Sequence, residues 1–160
     1  MLLRLPVAAM CLGLGATYVV TGFDLPRIFR WELPLASCLE SAGLRAGLSE
    51  YWSARLINAA SDWQLQVEQI SETGGVRVWG NDRLWYVRDI HDGSKRPAYR
   101  FIVMRELSPD RIAAVYGQPD RVMMCGSDAV WIYDDPTRLY DGLVRASPSM
   151  AKVFATAPAK

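Results

Sequence analysis

The sequence predicts an α/β domain with one small mixed sheet and flanking helices behind an N-terminal apolar helix, with α+β as the neighbouring alternative. Three observations predict it. Helical and strand-like stretches alternate from residue 34 to residue 133. About 110 residues lie between the apolar start and a tail rich in Ala, Pro and Ser, enough for one core. Residues 5–23 carry no formal charge, long enough to cross a hydrocarbon core of about 30 Å as a helix.

In chain order, 34–42 reads as a short helix bearing Leu35 and Leu39 and stopped by Gly43. Residues 44–47 suggest an edge strand. Ser49 is a good cap for a helix whose Leu48, Trp52, Leu56 and Ala59 repeat at helical spacing, with Glu50 in its first turn. Residues 65–70 alternate as a half-buried strand, Gly74-Gly75 turns it, and 76–79 returns. Asn81-Asp82 can cap a short helix to Ile90, with a hairpin through Leu84 and Tyr86 as its rival. Residues 92–97 form a loop, and 99–104 is the best central strand. Ser108-Pro109 opens the least ambiguous helix, with Ile112 and Val115 on one face and Gly117 at its end. Residues 122–125 and 130–133, joined by Gly126-Ser127-Asp128, close the domain as a hairpin.

This gives three regions: 1–31, a transmembrane anchor and interfacial segment; 32–141, an extracytoplasmic α/β domain; and 142–160, a disordered tail. In the first, Arg27 and Arg30 suit snorkelling to head groups, and Phe29 and Trp31 suit the interface. A secretory signal and a buried helix are the other readings of residues 5–23. Leu35-Ala36-Ser37-Cys38 looks like a lipoprotein box, but Asp24, Arg27, Arg30 and Glu32 separate it from the apolar run. Setting aside Arg4, Lys and Arg match Asp and Glu at seventeen each. No basic face points to nucleic acid.

Chemistry-bearing residues are few. Cys38 and Cys125 are the only cysteines outside the apolar run. At opposite ends of a small domain in an oxidising compartment they invite a disulfide, which requires the first helix to lie against the closing hairpin. Two separately buried thiols are the alternative. His91 is the single histidine and there is no CxxC pair, so zinc is not expected. His91 between Asp89 and Asp92 suits a solvated loop better than a general base, since no nucleophile motif accompanies it. Asp134 and Asp135 with Asp128 or Asp141 suit a solvated turn better than a cation site. No catalytic residue and no cofactor are expected.

Six Trp and seven Tyr are many for this length. Trp52 and Trp131 fall on apolar-periodic elements and are expected in the core. Trp63, Trp79 and Trp85 lie near turns and are the candidates for stacking on a saccharide, with Tyr51 and Tyr86 as further aromatic faces.

Taken in order, Cys38-Leu39, Gly47-Leu48-Ser49-Glu50-Tyr51-Trp52, Trp79-Gly80-Asn81-Asp82, Tyr99-Arg100-Phe101-Ile102-Val103, Tyr116-Gly117-Gln118-Pro119 and Val130-Trp131-Ile132-Tyr133-Asp134 form a recognisable series. Over residues 5–135 the chain resembles the C-terminal extracytoplasmic domain of bacterial polytopic proteins similar to lipid-phosphate-sugar-dependent glycosyltransferases of the protein-mannosyltransferase type. The catalytic carboxylate of such enzymes lies in an early loop between membrane helices, for which this chain has no counterpart. The resemblance therefore implies placement rather than catalysis: an inner-membrane protein whose domain faces the periplasm or exterior, in contact with lipid. Its expected role is accessory to a glycosyltransferase-like membrane protein, contacting that partner's helices or positioning an acceptor. A stand-alone anchored module binding a cell-envelope saccharide is the alternative, as is secretion after signal cleavage.

Overall fold

The computed structural model describes residues 33–158. The anchor, interfacial segment and signal-peptide readings of residues 1–31 fall outside these residues. No helix among the described residues is long and apolar enough to cross a membrane.

The elements are α1 (Leu33–Ser41), β1 (Ala46–Ser49), α2 (Tyr51–Ala60), β2 (Gln66–Gln69), a 3-10 turn (Arg83–Tyr86), β3 (Tyr99–Val103), α3 (Pro109–Tyr116), β4 (Arg121–Cys125), β5 (Asp128–Ile132), α4 (Pro136–Ala146), a second 3-10 turn (Pro148–Met150) and α5 (Ala151–Phe154). The domain is thus mixed α/β, with one five-stranded mixed sheet in the order β2-β1-β3-β5-β4. β1 runs parallel to both β2 and β3, and β5 is antiparallel to both β3 and β4.

Helices cover both faces. Leu35, Leu39, Ala54 and Ile57 from α1 and α2 pack on Val67, Phe101 and Val130. Ile112, Tyr116, Leu139 and Leu143 from α3 and α4 pack on Leu48 and Ile102. A bulge divides the strand side chains between these cores. Ala46 pairs with Tyr99 and Gly47 with Phe101, which leaves Arg100 extra and turns Tyr99 and Phe101 to opposite faces. Gly47 is required at this crossing, because a Cβ there would overlap the Phe101 ring.

Cys38 and Cys125 form a disulfide with Cα atoms 5.8 Å apart. The packing it demands is present: α1 lies against β4, with Cys125 turned inward and Val122 and Met124 turned out, 55% and 58% exposed.

Several expectations need correction. The strand at 44–47 is β1 at 46–49, an interior strand buried along its whole length. Ser49 is therefore a strand residue whose hydroxyl donates to the Val103 carbonyl at 3.2 Å. The cap is Glu50, whose carboxylate accepts from the Trp52 and Ser53 amides at 2.6 Å each. Because Leu48 belongs to the strand, counting from it sets the wrong phase for α2. The inward face is Ser53, Ala54, Ile57 and Asn58, and Trp52 is 63% exposed. Residues 76–79 add only one bridge, Ile70 to Val76. The helix expected to reach Ile90 shrinks to one 3-10 turn capped by Asp82, in place of either a longer helix or a hairpin.

The tail expected to be disordered from residue 142 is packed over its described part. α4 runs on to Ala146, Gly142 lets the Tyr116 ring approach its backbone, and Met150 and Phe154 are buried. Its Ala, Pro and Ser content hides an apolar series, Leu143, Met150 and Phe154, that joins the core beside Leu139.

Candidate functional site

The region with most unspent chemistry is the β2 edge. A polar strand at a sheet edge normally faces water, yet Gln66, Glu68 and Gln69 are all at most 2% exposed. Residues 71–98 fold over this edge, and the strand's side chains supply the hydrogen bonds that a ladder partner would have supplied. Gln66 donates to the carbonyls of Trp85 (2.8 Å) and Arg88 (3.0 Å) and accepts from the Ile90 amide (3.1 Å). Gln69 donates to the carbonyls of Arg77 and of Trp79, the latter at 2.6 Å. Glu68 accepts from Arg55 Nη2 and Asn81 Nδ2, each at 3.0 Å. Asn81 also donates to the Tyr86 hydroxyl at 2.9 Å, and that hydroxyl reaches the Gln69 and Arg77 carbonyls at 2.7 and 2.9 Å. Burial raises the Glu68 carboxyl above its ordinary range, with Asn81 and then Arg55 opposing the rise. Burial raises the Tyr86 phenol too.

This network leaves capacity unused. Arg55 Nε and Nη1, Gln69 Oε1 and Asn81 Oδ1 are buried without a hydrogen-bond partner, four of the five such side-chain atoms among the described residues. Orphaned groups at one seam mark a place where a buried water would be stabilised.

Aromatic rings flank the seam along α2. At its N-terminal end Tyr51 meets Trp52 and Trp79, with ring centroids 4.9 and 5.0 Å away. One turn on, about 6 Å along the axis, Arg55 sits over the Trp85 ring at 5.2 Å. Trp85 in turn meets Trp63, beyond the C-terminal end of α2, at 6.2 Å. Trp79 and Trp63 are 64% and 47% exposed, and Trp85 is half-buried. Trp131 is also half-buried, on β5 and away from this row.

The aromatic row starts beside a crevice of about 220 Å³, to which Glu50, Trp52, Glu72, Arg77, Trp79 and Glu106 contribute. Its position follows from topology. β1 sends α2 over one face of the sheet, while the segment after β2 returns to β3 over the other, bearing Tyr86 and Val87. Between β1 and β3 the direction of winding changes, and the carboxyl ends of parallel strands at such a point form a natural cleft.

Of the three predicted contacts, Trp79 lies at this crevice, and Trp63 and Trp85 form a separate pair farther along α2. Trp52, Arg55 and Asn81 were not singled out as part of the site. The pattern Tyr51, Arg55, Asn58 at four- and three-residue spacing was the available signal for a helix edge facing β2.

The other candidates disperse. The His91 ring meets the Gln64 carbonyl at 3.2 Å, and Asp89 accepts from the amides of His91 and Asp92. Asp92 is held at about 2 by Lys95 and Ser94. Asp128 pairs with Arg105 at 2.7 Å, Asp134 lies 3.9 Å from Arg121, and Asp135 caps α4 through the Thr137 amide. Among the described residues, no three His, Cys, Asp or Glu side chains group to hold a metal ion.

No family model, curated protein or solved structure matches the chain.

Proposed function

We propose that this is a membrane-tethered extracytoplasmic module that binds a cell-envelope saccharide along the α2 seam, without catalysing a reaction. One observation carries this reading: two aromatic pairs flank a cluster of buried, partly unspent donors and acceptors. Aromatic faces suit the C–H faces of sugar rings, and Glu50, Glu72, Arg77 and Glu106 at the crevice suit ring hydroxyls. The disulfide is in keeping with an oxidising compartment. In the setting that the resemblance implies, the saccharide is the acceptor presented to a glycosyltransferase-like membrane protein.

The test is titration of the full-length chain with a panel of neutral and acidic envelope oligosaccharides, read by tryptophan fluorescence. Saturable quenching that Trp79→Ala weakens about tenfold is expected. Absence of saturable binding across the panel, or binding indifferent to both Trp79→Ala and Trp63→Ala, would sink the proposal.

A further inference from the structure

On the face of the sheet opposite α2, residues 95–98 and the first turn of α4 enclose a slot of about 240 Å³. Pro97, Ala98, Pro136 and Tyr140 give it apolar walls, and Lys95 and Arg96 bring two cations. The two cations differ. Lys95 is already matched by Asp92 at 2.8 Å. The positive end of α4 is matched by Asp135, which accepts from the Thr137 amide at 2.9 Å and its hydroxyl at 3.0 Å. Arg96 has no ion pair among the described residues. Its guanidinium lies over the Tyr140 ring, 4.8 Å from the centroid. A guanidinium held over a ring face still has N–H donors for a planar anion.

Tyr140 adds a second unspent group. It is 5% exposed, yet its hydroxyl has no hydrogen-bond partner. Burial raises its phenol above the ordinary value, so it keeps its proton. Tyr99, stacked at 6.5 Å, and Phe154, edge-on at 5.8 Å, neighbour the same ring. The slot is therefore a half-open, mostly apolar space with one cation, Arg96, that has no ion pair among the described residues.

We propose that this slot binds a compact apolar carboxylate, a ring or short chain carrying one carboxyl group, with Arg96 as its charge partner. A single charge is specified because Lys95 and the helix end are already matched, which leaves one guanidinium rather than a phosphate cradle. This site is independent of the α2 seam.

The experiment uses the full-length chain in lipid nanodiscs and benzoate as the probe, observed by saturation-transfer NMR with empty nanodiscs subtracted. Saturable benzoate binding is expected. Benzyl alcohol, the same ring without the charge, should bind about tenfold more weakly, and Arg96→Gln should weaken benzoate about tenfold. Lys95→Gln should leave it unchanged. No saturable binding, equal affinity for benzoate and benzyl alcohol, or equal effects of Arg96→Gln and Lys95→Gln would overturn the proposal.

Discussion

The two edges of the sheet solve the same problem by different chemistry. The β2 edge is wrapped by residues 71–98 and held by buried polar side chains, with Glu68, Gln66 and Gln69 bonding to the covering segment. The β4 edge is fixed from one side by the Cys38–Cys125 disulfide and turns Val122 and Met124 outward. A covalent staple secures position without shaping a surface. A polar network positions a long irregular segment, and this one carries Trp79, Asn81 and Trp85 to α2. The β2 edge thus depends on many side-chain hydrogen bonds, and the β4 edge on one covalent bond.

The largest expected effect tests the stapled edge. The bridge joins residues 87 apart, and removing it with Cys38→Ala/Cys125→Ala should lower stability by about 4–5 kcal/mol on the chain-entropy scale. Urea unfolding of oxidised and variant protein measures this; a loss below about 1 kcal/mol would show that α1 docks on β4 without the bond.

Next comes the polar edge. Arg55→Met removes the cation from buried Glu68 and should cost about 3 kcal/mol at pH 7, measured by the same method. Because the cost arises from an unpaired carboxylate, it should shrink at pH 4. A cost equal at both pH values would show that Arg55 acts by packing alone.

Glu68→Gln gives a smaller, pH-specific change. Folding raises the Glu68 carboxyl above its ordinary 4.5, so between that pH and the raised value the folded chain holds a proton that the unfolded chain has released. Its contribution is fullest below the ordinary value and is lost as pH rises through the raised one. The variant should therefore flatten the fall in stability as pH climbs from 4.5. An unchanged slope would place the titration elsewhere.

The smallest effect is expected at the bare edge. Met124→Lys on the outer face of β4 should change stability by less than about 0.5 kcal/mol in thermal unfolding. A larger loss would mean that Val122 and Met124 are covered in solution.

These contrasts also explain what was legible in the sequence. Elements with their own punctuation were readable: Ser108-Pro109 and Gly117 bound α3, and Gly126 turns β4 into β5. The disulfide was readable because the cysteines outside the apolar run offered one pairing. β2 was harder to place, since Gln66, Glu68 and Gln69 look solvent-facing until residues 71–98 are folded over them. Those residues have little periodicity, because side-chain bonds rather than a ladder fix their path. The inward face of α2 is hidden for a related reason: Asn58 is buried because it bonds to both backbone groups of Val67, at 2.8 and 2.9 Å. Hydrophobic spacing does not report a polar side chain that substitutes for a strand. The same gap hides Arg55 and Asn81, whose shared partner Glu68 reads as solvent-facing.

The most direct test of the account is amide chemical-shift mapping of the full-length chain with the best-binding oligosaccharide of the panel. Saccharide binding at the β2 edge predicts shifts at Trp52, Arg55, Trp79, Asn81 and Trp85, with residues 121–125 unmoved. Shifts concentrated on β4, or spread evenly over both edges, would contradict it.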